Sequence, residues 1–197
     1  MGEQEKKRLL AALSLLPEEK RSAGYILELG GGYGRNQPLL RGFFPEAVIH
    51  MVDQSQANID IATSEMKIPA EDCCCAAIQD LAWVKVASSV DVIVDWWTLS
   101  YLEDGDLRRV LFYISNALKP DGVFLLCLPV RRNGKGPEHP HDPYMHFRDE
   151  AEYEALFQRA GLITHPCKRE PRHYLPAGPR KKFHQEKETL WILMPKH

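Results

Sequence analysis

The chain alternates short apolar runs with stretches whose apolar residues recur every three to four positions, and this rhythm holds from residue 24 to about residue 130. Runs at 25–29, 48–52, 74–78, 91–95 and 123–128 have the length and composition of buried strands. Between them, Ser55 is placed to cap a helix carrying Ile59, Ala62 and Met66, and Leu107, Val110, Leu111, Ile114 and Leu118 form a second stripe at helical spacing. Lys119-Pro120-Asp121-Gly122 ends that helix, because proline cannot continue it and Asp-Gly turns the chain into the next strand. Such alternation predicts right-handed βαβ units stacked into a parallel sheet with helices on both faces.

The two ends read differently. Residues 1–22 form one amphipathic helix with Leu9, Leu10, Leu13 and Leu16 on its inner side. Residues 131–147 are rich in glycine, proline and charge through position 143 and lack apolar periodicity, so they read as a long loop over the cleft. Asp149 followed by Glu152 is a capping-box start for a helix bearing Tyr153, Leu156, Phe157 and Ala160, with Gly161 as its stop. Strands at 162–167 and 189–194, joined by a basic, proline-rich connection, predict an antiparallel closing pair. The expected fold class is α/β, a Rossmann-like doubly wound sheet, mostly parallel with an antiparallel last strand. With no internal repeat or second composition block, residues 1–197 read as one domain.

Composition narrows the function classes. A length of 197 residues suits one hydrophobic core, and 44% apolar with 26% charged residues excludes disorder and fibrous repeats. The formal charge of -2 argues against a surface devoted to nucleic acid. No apolar run approaches a membrane span and the charged N-terminus is unlike a secretory signal, so an intracellular protein, cytoplasmic or nuclear, is expected. Five cysteines, three of them adjacent at Cys73-Cys74-Cys75, match neither a disulfide framework nor a zinc site. His139, His141 and His146 have no cysteine or carboxylate set beside them and read as loop residues, so no metal is expected. The basic stretch 168–182, with Lys168, Arg169, Arg172, Arg180, Lys181 and Lys182, reads as a solvated loop, with contact to an acidic protein partner or to phosphate as the alternative.

Candidate chemistry begins at Glu28-Leu29-Gly30-Gly31-Gly32-Tyr33-Gly34-Arg35, which follows an apolar strand and opens a helical segment. Glycines in that context let a ligand approach backbone N–H groups closely. The spacing is G-x-G-x-G, because Arg35 stands where the dinucleotide fingerprint G-x-G-x-x-G needs its third glycine. Asp53 falls at the carboxyl end of the second strand, where a carboxylate can accept hydrogen bonds from both hydroxyls of an adenosine ribose. Ile78-Gln79-Asp80 and Asp95-Trp96-Trp97 share the same rim, where either tryptophan can pack in the core or cover a ligand.

Together with Val52-Asp53-Gln54-Ser55, Asp91-Val92-Ile93-Val94 and Leu118-Lys119-Pro120-Asp121-Gly122, this loop resembles the class I S-adenosylmethionine-dependent methyltransferases. The resemblance runs from Tyr25 to about Leu162 and implies a seven-stranded sheet with S-adenosyl-L-methionine as cofactor. It implies that Gly30, Gly31 and Gly32 lie under the methionyl part and Arg35 meets its carboxylate. Asp53 with Gln54 would take the ribose, Ile78 and Gln79 the adenine side, and Trp96 would cover the cofactor. More narrowly, Met51-Val52-Asp53, the cysteines before Ile78-Gln79-Asp80, Trp97 with Leu102 and Asp104, and Arg148-Asp149 are similar to the protein α-N-terminal methyltransferases. That likeness implies an amine acceptor such as a protein N-terminus; for in-line attack by such an amine, Trp97 reads as the floor of the substrate site and Tyr101, His141 and Asp142 as candidate orienters or proton acceptors. The chain departs from that family at Tyr101, where it has a histidine, and at Pro129, where it has an asparagine. Two other readings follow from those departures, a catalytically silent cofactor-binding partner subunit and a small-molecule methyltransferase.

Overall fold

Runs rich in β-branched residues and leucine, buried on both faces, form the centre of a seven-stranded sheet in the order β3-β2-β1-β4-β5-β7-β6. The computed structural model describes residues 3–80, 89–131, 144–164 and 186–196. The strands are β1 (Tyr25–Leu29), β2 (Val48–Asp53), β3 (Cys73–Cys75), β4 (Val90–Trp96), β5 (Leu118–Arg131), β6 (Leu162–Thr164) and β7 (Glu186–Pro195). β3 through β5 are parallel, and β7 runs antiparallel to both β5 and β6. The expected fold class and its antiparallel closing pair are therefore present.

Among the described residues, five α-helices cover the sheet: α1 (Glu3–Leu13), α2 (Gln37–Phe43), α3 (Gln56–Ser64), α4 (Asp104–Ala117) and α5 (Glu150–Arg159). One core joins α4 and α5 to the sheet through Leu107, Val110, Leu111, Ile114, Tyr153 and Phe157. The opposite core joins Leu9, Ala12, Leu13 and Leu40 to Ile26, Val92 and Leu125. Adjacent strand residues thus alternate between two buried layers, as a doubly wound sheet requires.

Several boundaries differ from the sequence reading. Residues 1–22 are not one helix, since α1 stops at Leu13 and a 3-10 turn at Glu18–Ser22 follows Pro17, which lacks an N–H and disfavours helical backbone at Leu16. The inward stripe is Leu9, Ala12, Leu13 and Leu16, while Leu10 is 42% exposed. Met66 lies beyond the end of α3 and is exposed. Leu118 belongs to β5, whose pairing with β4 shifts register so that Lys119 to Gly122 bulge between Val90↔Leu118 and Val92↔Val123. The third strand ends at Cys75, and Ile78–Asp80 is a 3-10 turn. Residues 132–143, including His139, His141 and Asp142, and the basic stretch 168–182 lie outside the described residues.

Residues 144–149 are held against the start of α4 and the turn before it. The guanidinium of buried Arg148 donates from Nε and Nη2 to Asp104 Oδ1 at 2.9 and 2.7 Å and from Nη2 to the Leu102 carbonyl at 2.8 Å. Asp104 is held below the usual carboxylate range, first by that hydrogen bond. Asp149 then caps α5: its carboxylate accepts from Glu152 N at 2.9 Å while the Glu152 side chain accepts from Asp149 N at 2.7 Å. Asp149→Ala is expected to lower stability by about 1 kcal/mol, and Asp149→Ser to restore most of it, in urea denaturation. Equal stability of all three chains would show that the cap contributes nothing.

Candidate functional site

The sheet reverses its winding at β1, which has β2 on one side and β4 on the other, so a crevice opens beyond the carboxyl ends of β1 and β4. Register sets the rim: Leu29 pairs with Val52 and with Asp95, and Asp53 pairs with Cys75. Gly30, Asp53, the turn carrying Ile78 and Gln79, and the Trp96-Trp97 pair therefore arise from four neighbouring strand ends.

The loop after β1 folds back onto β2. Gly31 N donates to the Val52 carbonyl at 3.0 Å and Gly32 N to Asp53 Oδ2 at 2.8 Å. Gly30 has φ +64 and lies so close to Thr98 that a Cβ would sit 2.0 Å from its Oγ1. Gly32 has φ +57 with open space where its Cβ would be. One glycine is demanded by packing against the β4 turn, and the other by the left-handed turn itself.

Asp53 also accepts from Ser55 N at 2.9 Å and Asn58 Nδ2 at 3.1 Å. A carboxylate has roughly four lone-pair sites, so three protein donors leave room for one more. Gripping both hydroxyls of a ribose would require one present donor to yield, and Gly32, at the open face of the loop, is the least encumbered. Gln54 is exposed, and Arg35 is half-buried at the end of the loop. Ile78 is buried in the α4–α5 core, and half-buried Gln79 accepts at its carbonyl from Arg109. Trp96 packs against the α1–α2 core.

Two buried carboxylates lie beneath this surface, and the sequence reading passed over their role. Glu28 Oε1 accepts from Asn36 Nδ2 at 2.9 Å and its Oε2 from Gln37 Nε2 at 2.7 Å, which ties β1 to the start of α2 across the loop. Burial pushes its pKa up to about 7, against the lowering effect of the two amides and of Arg35. Asp95 is fully buried and accepts from Leu99 N at 3.1 Å, and burial raises its pKa well above the usual range. An acidic residue inside the otherwise apolar Ile26-Leu27-Glu28-Leu29 is the signal that marks the first of them.

On the other side of the crevice, Trp97 adopts φ 78, a left-handed conformation that costs a bulky residue of order 1–3 kcal/mol. Its backbone N donates to the Cys127 carbonyl at 2.9 Å, and its buried indole Nε1 has no hydrogen-bond partner among the described residues. Tyr101 ends the following 3-10 turn and is exposed. Pro129 is buried in β5 between Cys127, whose carbonyl receives Trp97, and Arg131, whose N donates to the Arg148 carbonyl at 3.0 Å. Residues of that parity face the β4 side, so the missing proline N–H falls in the gap between β4 and residue 148. The structure thus gathers the glycine loop, Asp53, the turn at residues 78–80 and Trp97 around one rim, with Tyr101 at its edge. Among the described residues no group of three histidine, cysteine or acidic side chains is arranged to hold a metal, and no described helix is long and apolar enough to cross a membrane.

A sheet of this order with a glycine loop tied to the acidic end of β2 is the class I S-adenosylmethionine-dependent methyltransferase fold. The chain belongs to the methyltransferase-domain family, which matches residues 1–165 and whose methyl donor is S-adenosylmethionine. It is 29% identical over 150 residues to alpha N-terminal protein methyltransferase 1 of Oryza sativa, in both the indica and japonica subspecies, covering 72% of this chain and 48% of theirs. The chain therefore spans about half the length of the curated relatives it matches. Among solved structures, phosphoethanolamine N-methyltransferase 2 of Haemonchus contortus superposes with a TM-score of 0.74 at 14% identity, over 97% of this chain and 53% of that one. The methyltransferase in complex with the Haloferax volcanii Trm112 activator gives 0.71 at 20% identity, over 96% and 89%. At those identities the structures speak for the fold.

Glu28 makes a prediction about pH. The unfolded chain ionises it near the ordinary value of 4.5, whereas the folded chain keeps the proton until about 7. The folded state binds more protons in that interval, so the stability Glu28 contributes is fully present below pH 4.5 and is lost as pH rises through 7. The loss is on the order of 3 kcal/mol. Buried Gln37 Oε1 has no partner, and after an amide flip it is the acceptor that a protonated Glu28, or a glutamine in its place, needs. Glu28→Gln should therefore fold and flatten the fall in stability between mildly acidic and mildly alkaline buffer. Parallel stability curves for the two chains in urea denaturation would contradict this.

Proposed function

We propose that this chain works as one methyltransferase domain that transfers the methyl group of S-adenosylmethionine to an amine nitrogen, such as the α-amine of a protein N-terminus. The observation that carries the reading is the glycine loop hydrogen-bonded to Asp53 at the point where the sheet reverses. The α-amine as acceptor is supported by the rice relatives' description, which comes to this chain over 72% of its length.

When bound, the cofactor supplies an electrophilic sulfonium methyl. In this reading Gly30, Gly31, Gly32 and Arg35 hold its methionyl end, Asp53 and Gln54 the ribose, and Ile78 and Gln79 the adenine, with Trp96 covering it from the α1–α2 side. Trp97 floors the acceptor site. A neutral amine then needs alignment with the methyl group and exclusion of water more than a strong base, since one proton leaves the nitrogen. Tyr101 orients the amine, and either His141 or Asp142, from the segment outside the described residues, receives that proton.

Calorimetric titration with S-adenosylhomocysteine tests the first half: Asp53→Ala should weaken binding at least about tenfold, the scale of one charge-assisted hydrogen bond. Mass-spectrometric assay on peptides with free N-termini tests the second. Tyr101→Phe and Asp142→Ala should each lower turnover by about 10²-fold if they orient or deprotonate the amine, and full activity in both removes those assignments. Cofactor binding without turnover on any peptide or metabolite would instead identify a silent partner subunit, and turnover on metabolites alone a small-molecule enzyme.

A further inference from the structure

A second cleft, of about 460 Å³, opens on the α4–α5 side of the sheet, apart from the glycine crevice. Its walls are the first turns of α4, the carboxyl end of β5, residues 145–148 and one stripe of α5. Among the described residues that line this cleft charge is unbalanced, because Arg108, Arg131, Arg148 and Arg159 stand beside two carboxylates, Asp104 and Glu152.

The arginines differ in how far they are satisfied. Arg148 is occupied by Asp104 and the Leu102 carbonyl. Arg131 reaches Glu152 Oε2 only at 3.5 Å, and its buried Nε has no hydrogen-bond partner among the described residues. The oxygen it approaches already accepts from Asp149 N at 2.7 Å. Arg159 makes no hydrogen bond or ion pair among the described residues, and Arg108 meets Asp104 only through space. Among the described residues two positive charges are therefore left for a ligand, and Arg131, whose side chain is 32% exposed, lines the cleft.

An excess of two matches a phosphomonoester, which carries about −1.5 to −2 charge at neutral pH and three acceptor oxygens suited to the planar fork of arginine. A single carboxylate would leave half the excess in place. Met145, Phe147 and Leu156 supply apolar wall beside the charged groups, and the volume is within the roughly 300–1,000 Å³ of small-ligand pockets. We propose that this cleft binds a phosphomonoester, with the phosphate held by Arg108, Arg131 and Arg159 and the apolar body against Met145, Phe147 and Leu156. The assignment rests on the charges and shape of the cleft and is independent of the methyl-transfer reading.

Calorimetric titration of the full chain with phenyl phosphate at low ionic strength is the test, with inorganic phosphate and benzoate as comparison probes. Phenyl phosphate should bind at least tenfold more tightly than either, and its affinity should fall as salt is added. Arg108 and Arg159 are exposed helix positions, so Arg108→Gln and Arg159→Gln should leave the circular dichroism spectrum and S-adenosylhomocysteine binding unchanged. Each should weaken phenyl phosphate about tenfold, the scale of a charge-assisted contact. Glu152→Gln keeps an acceptor for the α5 cap, removes the competitor for Arg131 and should strengthen binding. Absence of saturable binding at millimolar phenyl phosphate, or equal affinity in the native chain and the Arg108→Gln/Arg159→Gln double variant, would overturn the proposal. Failure of S-adenosylhomocysteine to bind the native chain would count against the methyl-transfer reading alone.

Discussion

A buried carboxylate bridging a strand and a helix is the constraint on which the crevice depends. Glu28 lies on β1 with no exposure to speak of, and the amides of Asn36 and Gln37 close on its two oxygens from the start of α2. Between those points the chain must reverse over eight residues, and it does so through glycines at positive φ. Because both ends are fixed by buried hydrogen bonds, the loop between them is held at one height above the sheet. Asp53 can then reach Gly32 N, and Thr98 can close against Gly30. A buried acid whose pKa is pushed up to about 7 is costly in solvation, and that cost is offset only where its amide partners are themselves immobilised.

The two sides of the crevice are built on different physical terms. On the β2 side every polar group of Asp53 that faces the protein is matched by a donor, so the loop is a stable structure in its own right. On the β4 side Trp97 combines left-handed backbone with an indole donor that has no partner. Strain and an unmet donor at one residue are costs that packing alone does not explain, and they coincide where the acceptor is proposed to lie. Arg148 links this side to the second cleft. It pins the segment after residue 143 to Leu102 and Asp104, just past Tyr101, while His146 N donates to the Ser100 carbonyl at 2.7 Å.

How much of this was legible in the sequence depends on the range of the interaction concerned. The strands were legible because burial on both faces leaves a continuous apolar run, and the α5 cap was legible because a capping box is written within four residues. The glycine loop and Asp53 could be paired because both fall at strand ends, whose relative height a parallel register fixes. Leu10 and Met66 were misplaced because a leucine or methionine one position off the inward stripe looks the same in composition as one on it. The break after α1 was written in Pro17 and overridden by the flanking leucines. Glu28, Trp97 and the arginine cleft are different in kind. A pKa near 7, a positive φ on a tryptophan and four guanidiniums from separated segments exist only once the chain is folded, and no periodicity announces them.

Pro129 shows how an apparent loss can be a structural accommodation. In the middle of a sheet a proline removes a ladder hydrogen bond, and β5 is flanked by β4 and β7 for much of its length. Its register with β7 runs unbroken from Phe124↔Leu193 to Arg131↔Glu186, so the proline does not disturb that side. On the other side β4 has already turned away at Trp97, and the Val130↔Arg148 bridge resumes contact only one residue later. The proline thus occupies the one interval where no donor is called for, and its ring fills buried space there instead of presenting a polar side chain. Under the proposed function an acceptor would meet shape and the indole of Trp97 on this wall, whereas directional polar contacts would come from Tyr101 and from the segment that Arg148 secures.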